Sequence, residues 1–139
     1  LFRGRSSLEK GEGERKSVKH YIRLAARSDE MIRIHLVGAG GTGSALAVRL
    51  CKLNLALTAL GHPGIDVTIF DPDLVSEANI GRTLYFQPDV GLPKASILAT
   101  RINQSTGFSW KAVPTEYDPR EHRGAPILIT ADMVAARAA

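Results

Sequence analysis

The chain has 139 residues, 44% of them apolar and 6% aromatic, a size and balance suited to a single globular α/β domain with a real core. No apolar run approaches the roughly 20 residues of a membrane span, no signal peptide opens the chain, and a lone cysteine, Cys51, leaves no internal disulfide, so a reducing cytoplasm is the default location. The net charge of +4 is concentrated in residues 1–30, with eight Lys/Arg against five Asp/Glu; the rest holds ten against nine, so no nucleic-acid face is expected.

Residues 1–30, rich in charge, Gly and Ser, read as a flexible basic segment in which VKHYIRLAAR is long enough for one or two helical turns. Residues 31–139 read as one domain. Leu1 rather than Met opens the chain and Ala139 falls just inside an expected helix, so a fragment truncated at the C-terminus is the expectation. MIRIHLV (31–37), β-branched and bounded by glycine, predicts a buried strand. A Gly-rich turn follows, then a helix whose Leu46, Leu50, Leu53, Leu57 and Leu60 recur at steps of four and three and predict one apolar face, ended by Gly61, Pro63 and Gly64. DVTIFD (66–71) predicts a second strand. Residues 72–92 form a long irregular connector, a length that usually marks function. A second helix is predicted from Pro93 to Gly107, a third strand in SWKAVPTEY, and a fourth in APILIT (125–130). The order β-α-β-α-β-β predicts a Rossmann-like, doubly wound, mainly parallel sheet.

Gly38, Gly40 and Gly43 spell G-x-G-x-x-G between a strand and a helix. The first glycine suits a tight turn, the second close approach of backbone to phosphate, the third close helix–strand packing, while the helix start offers free N–H groups. Gly41 and Thr42 belong to the same amide-lined turn; the plainer account is a tight turn that binds nothing. Asp71 ends the second strand, where an acid accepts from a ribose hydroxyl pair, although its 28-residue distance from Gly43 exceeds the usual 20 or so and a turn cap is the competing role.

Asp71, Asp73, Asn79 and Arg82 then fall within twelve residues, and Lys94 comes twelve later at a helix start. Hydride transfer has little use for such cations. A triphosphate carries about four negative charges and develops more on cleavage, which Arg, Lys and a metal stabilise. Asn79 suits a phosphate oxygen or the leaving group; exposed loop charges are the competing account of Arg82 and Lys94. Asp132 follows the fourth strand, at the carboxyl edge where the turn and Asp71 also lie, and fits either a magnesium ligand or the N-cap of a following helix.

Four stretches in order, GAGGTGS (38–44), DPDLVSEANIGR (71–82), VGLPK (90–94) and DMVAAR (132–137), resemble the ATP-binding half of the ThiF/MoeB/ubiquitin-activating-enzyme superfamily. ALTALGHPGIDVTIFDPD and INQSTGFSWKAVP are similar in wording to the plasmid-associated PRTRC-system ThiF proteins. The resemblance implies that ATP and the C-terminal carboxylate of a ubiquitin-like or sulfur-carrier protein give an acyl adenylate and pyrophosphate. It assigns phosphates to Gly38–Gly43, ribose to Asp71, phosphate contacts to Asn79, Arg82 and Lys94, and magnesium to Asp132. It also implies a possible homodimer. The family's N-terminal R-Y-x-R-Q segment, its zinc-binding Cys pairs and its downstream catalytic Cys have no counterpart here; HYIRL (20–24) is a faint echo of the first. Cys51 reads as a packed helix residue, and the four histidines share no metal-ligand spacing. An adenylating enzyme is thus the leading expectation. An NAD-dependent oxidoreductase and a non-catalytic nucleotide-binding module are the alternatives, and Arg82 and Lys94 facing the Gly turn distinguish the first from the second.

Overall fold

Alternation of the branched apolar Ile32, Ile34 and Leu36 with the polar Arg33 and His35 makes Ile32–Val37 (β1) a strand with two different faces. The computed structural model describes residues 29–122 and 127–130. Helix α1 (Gly41–Ala59) follows β1, then β2 (Ile65–Phe70), two short 3-10 turns at Glu77–Asn79 and Gln87–Asp89, α2 (Lys94–Thr106), β3 (Lys111–Val113) and β4 (Ile127–Thr130). The described strands form one parallel sheet in the order β3-β2-β1-β4. The chain steps outward from β1 to β3 and then returns to the other side of β1, so the switch point lies between β1 and β4. Val37 pairs with Phe70 and Thr130, which aligns the carboxyl ends of the three strands.

One sheet face carries the core. Ile34, Leu36, Ile65, Val67 and Ile69 pack with Ala47, Leu50 and Cys51 of α1 and Ala95, Leu98, Ala99 and Ile102 of α2. Both helices therefore cover the same face, as successive right-handed crossovers in one direction require. The leucine ladder predicted for α1 is corrected in part. Leu50 is buried and Leu46 and Leu57 pack against the core, but Leu53 and Leu60 are exposed, at 48% and 84%. The inward stripe is Gly43, Ala47, Leu50, Cys51 and Asn54, turned toward the small residues because a helix beside a Gly-rich turn approaches the sheet closely. Cys51 is a packed helix residue, as expected, and burial pushes its thiol up.

Asn54, 3% exposed, accepts the Ile65 amide at 2.7 Å and so ties α1 to the start of β2. Gly64 holds a φ of +101°, and a Cβ there would collide with the Asn54 amide. Helix α2 ends as predicted, with Gly107 left-handed at a φ of 77°. The predicted third strand, 109–117, shrinks to three ladder residues. Trp110 gives both backbone groups to the Asn103 side chain at 2.9 Å, and Pro114 has no N–H to continue the ladder. The second strand shifts by one residue, so Asp71 stands just past its end, still donating its N–H to the Val113 carbonyl at 3.3 Å. The fourth strand keeps its predicted end at residue 130. Residues 1–28, 123–126 and 131–139, and with them the expected N-terminal segment, its short helix and Asp132, lie outside the described residues.

The opposite sheet face carries His35 and Phe70, against which Tyr117 and His122 pack with ring centroids 4.9–5.7 Å apart. Burial, then His122 and Arg33, hold the His35 imidazole below its usual range, while Asp66 pulls the other way. The unfolded chain thus takes up this proton more readily than the folded one. Stability is full above the ordinary imidazole value of about 6.5 and declines as pH falls through it. The thermal midpoint is expected to drop between about pH 7.5 and about pH 5.5, and to drop less in His35→Gln. Identical slopes in the two proteins would exclude His35 as the titrating group.

Candidate functional site

Every described residue of the site comes from the carboxyl edge of the sheet. Gly38 leaves β1 with a φ of 103°, a conformation side chains oppose, and its N–H donates to the Phe70 carbonyl at 2.8 Å. The chain enters α1 directly, with Gly40 as N-cap and the first helical bond from Ser44 N to Gly40 O at 2.9 Å. No side chain caps this end and no acid stands in its first turn. The N–H groups of Gly41, Thr42 and Gly43 therefore have no intrahelical acceptor. A Cβ at Gly40 or Gly41 would meet nothing within 4 Å, so open space lies over the turn. An amide-lined, positively polarised concavity of this kind suits an anion.

Asp71, 4% exposed, sits beneath it. Its Oδ2 accepts the Ala39 amide at 2.6 Å and its Oδ1 the Asp73 amide at 2.8 Å. The expected turn-cap role is thus present in the geometry. Each carboxylate oxygen retains a further lone pair for another donor.

The long connector closes on itself. The Val75 amide donates to the Leu92 carbonyl at 2.8 Å and the Gly91 amide to the Val75 carbonyl at 2.9 Å. Lys94 meets Asp73 twice, through its backbone N–H at 3.0 Å and through Nζ to Oδ2 at 3.1 Å. Lys94 is largely covered, with 11% of its side chain exposed, while Asp73 is 65% exposed. A pair open to solvent on one side adds little stability; what it does is hold the ammonium at the rim.

Tyr85 completes the circuit. Its hydroxyl, on a side chain 1% exposed, donates to the Ala39 carbonyl at 2.6 Å and lies 3.2 Å from the Lys94 carbonyl. Burial pushes that hydroxyl far above the ordinary phenol range, so it keeps its proton. Ser44 Oγ also donates to the Ala39 carbonyl, at 3.2 Å. The Gly turn, Asp71, Asp73, Lys94 and Tyr85 therefore form one ring of direct contacts.

The other predicted residues stand apart from that ring. Asn79 spends its side-chain oxygen on the Ser76 amide and hydroxyl, at 2.9 and 3.0 Å, and its carbonyl on the Thr83 hydroxyl at 2.7 Å. It shapes the loop that carries Arg82. Arg82 itself is exposed, and no described residue engages its guanidinium.

Sequence reasoning missed three anchors, Asp89, Arg101 and Tyr85. Asp89, 5% exposed, accepts the Phe86 amide at 2.6 Å and pairs with Arg101 at 2.8 Å; that amide first, then Arg101, hold its carboxyl below the usual range. Arg101 also donates to the Leu84 carbonyl at 2.6 Å and lies 4.8 Å over the Phe86 ring. It stands seven residues after Lys94, two helical turns on the same face, which was a readable signal. Tyr85 had none: an aromatic residue in a polar loop does not announce which carbonyls it will reach. Among the described residues no group of three or more His, Cys, Asp or Glu side chains is placed to hold a metal, and no helix is long and apolar enough to cross a membrane.

Solved structures share this architecture. The tRNA N6-threonylcarbamoyladenosine dehydratase TcdA of E. coli, in complex with ATP, superposes with a TM-score of 0.55 at 28% identity, over 78% of this chain and 43% of that one. E. coli MccB, with AMPCPP and MccA, gives a TM-score of 0.55 at 19% identity, over 73% of this chain and 30% of that one, a likeness of fold alone. The chain thus spans less than half the length of these proteins. No curated protein matches it. The ThiF family's sequence pattern matches residues 26–136, a span that takes in the Gly turn, the closed connector and both crossovers, and the chain belongs to the ThiF family.

Proposed function

We propose that this chain is the nucleotide-binding portion of a ThiF-type adenylating enzyme, an adenylyltransferase that activates the C-terminal carboxylate of a ubiquitin-like or sulfur-carrier protein. The observation that carries the reading is the ring of contacts joining the open amides of the Gly turn to Lys94 through Asp71, Asp73 and Tyr85. An anion cradle and a cation held on the same rim suit a triphosphate better than a pyrophosphate awaiting hydride transfer. The ATP complex of TcdA, a relative at 28% identity, supports the choice of nucleotide.

In this reading the amides of Gly40, Gly41, Thr42 and Gly43 hold phosphate oxygens. Asp71 accepts from the ribose with the lone pairs its amides leave free. Lys94 exchanges Asp73 for the triphosphate, and Arg82 closes over it from the connector, with Asn79 holding the loop in shape. A carboxylate oxygen of the carrier attacks the α-phosphorus. The bond from that phosphorus to the oxygen bridging to the β-phosphate breaks, and the electron pair leaves on pyrophosphate, giving the acyl adenylate. Lys94 and Arg82 offset the charge that develops on the leaving group.

In the same reading Asp132, two residues past the end of β4 in the sequence, would be the magnesium ligand; the last residue of that strand pairs with Val37. Magnesium bound there would add charge stabilisation to the phosphates. A cytoplasmic setting, a homodimer and kinship with PRTRC-system ThiF proteins belong to the same proposal.

The test has two arms. Calorimetry with ATP is expected to give a saturable heat, and NAD⁺ under the same conditions none; the reverse order would return the chain to the oxidoreductases. With a ubiquitin-like carrier protein added, labelled pyrophosphate is expected to exchange into ATP, and to stop doing so when the carrier's C-terminus is amidated. Exchange indifferent to amidation would remove the carboxylate from the reaction.

A further inference from the structure

We propose that Tyr85 is a positioning residue for the triphosphate: its hydroxyl sets the Gly turn and the start of α2 at a fixed separation, so that the turn's amides and the Lys94 ammonium address one anion together. This rests on the ATP reading above.

The peptide groups around Ala39 are held on both sides. The Ala39 N–H goes to Asp71 and the Ala39 carbonyl to Tyr85, each at 2.6 Å. These fix the plane from which Gly40 and the open amides depart. The same phenol oxygen stands 3.2 Å from the Lys94 carbonyl, on the first residue of α2. One side chain therefore touches both halves of the cradle, 46 residues apart for the turn and nine for the helix. Tyr85 is 1% exposed, so it touches no ligand itself and acts through the groups it holds. In the sequence Tyr85 lies between Arg82 and Asp89, whose pair with Arg101 anchors the connector to α2. The hydroxyl stays a donor throughout the accessible pH range because burial disfavours its ionisation. The one phenol proton is shared between the Ala39 and Lys94 carbonyls, and Ser44 is a longer second donor to the first, so removing the Tyr85 hydroxyl leaves the Ala39 carbonyl satisfied while freeing α2 from the turn.

Tyr85→Phe keeps the ring and removes the hydroxyl. Affinity for ATP is expected to fall about fivefold to tenfold, the scale of one net hydrogen bond, with adenosine affinity unchanged within about twofold. In a Lys94→Ala background the same substitution is expected to cost ATP binding little, because the cation that Tyr85 positions is gone. A merely structural role would weaken ATP and adenosine alike and would act equally in both backgrounds; either result overturns the proposal. Should Tyr85→Phe not fold, Tyr85→Met replaces it with a more adaptable apolar side chain. Failure of both to fold assigns Tyr85 to the fold and also overturns the proposal. An unmodified chain that ignores ATP would instead remove the parent reading, whereas an unmodified chain that binds ATP and a Tyr85→Phe chain that binds it equally well would remove Tyr85's role alone.

Discussion

Asp71→Ala is expected to lose about 2–4 kcal/mol of folding stability and to weaken ATP binding at least tenfold, a combined effect on fold and ligand. The carboxylate is 4% exposed and accepts two backbone amides, one from Ala39, which is wholly buried. Truncation leaves both N–H groups without their acceptor, the Ala39 one in a space water cannot readily fill, and a buried unmade hydrogen bond costs more than a made one gains. The Gly turn would then lose its floor, since the Ala39 peptide would be held on the carbonyl side alone. Denaturant unfolding reads the first effect and calorimetry with ATP the second. The ribose contribution is read separately on the unaltered protein, where 2′,3′-dideoxy-ATP is expected to bind more weakly than ATP. Equal affinities would leave Asp71 a cap of the strand end and nothing more. An Asp71→Ala chain with an unchanged midpoint would mean that the two amides find water instead.

Arg82→Ala is expected to show the opposite combination. Arg82 is exposed and no described residue engages its guanidinium, so the thermal midpoint should stay where it is. If the guanidinium closes over the triphosphate, its loss removes one or two charge-assisted hydrogen bonds. ATP affinity should then fall about tenfold to a hundredfold, with adenosine affinity untouched. Raising the salt concentration should narrow the gap between Arg82→Ala and the unaltered chain, because the interaction is made near solvent. Equal weakening of ATP and adenosine would deny Arg82 a phosphate role, and no weakening at all would leave it a solvated loop charge. The contrast with Asp71 is physical. The Asp71 side chain is spent on backbone amides, whereas Arg82 stands exposed on a loop whose shape Asn79, Asp89 and Arg101 maintain.

Much of the molecule was readable beforehand because its signals are local. Gly38 needs a left-handed φ whatever surrounds it, and Gly107 ends α2 for the same reason. The first three apolar runs, separated by helical patterns, predict a parallel sheet because a parallel crossover is usually a helix. The boundaries slipped where a side chain competed with the ladder, as Asn103 does at Trp110. The leucine face of α1 was misjudged because periodicity reports that a helix has a stripe, not how closely that stripe approaches the sheet. Asn54 shows the cost of reading polarity alone: it is buried since its amide satisfies the first N–H of β2.

What the amino-acid sequence determined by itself was the order of elements, the amide-lined turn after β1 and the place of Asp71 at the end of β2, all consequences of backbone geometry and of strand ends meeting at one sheet edge. Tertiary structure alone decided that Tyr85 spans the turn and α2, that Asp89 and Arg101 pin the connector, and that Asn79 is spent on Ser76. Those choices depend on which buried donors and acceptors remain unpaired once the chain has closed, and that is settled by contacts between segments distant in sequence.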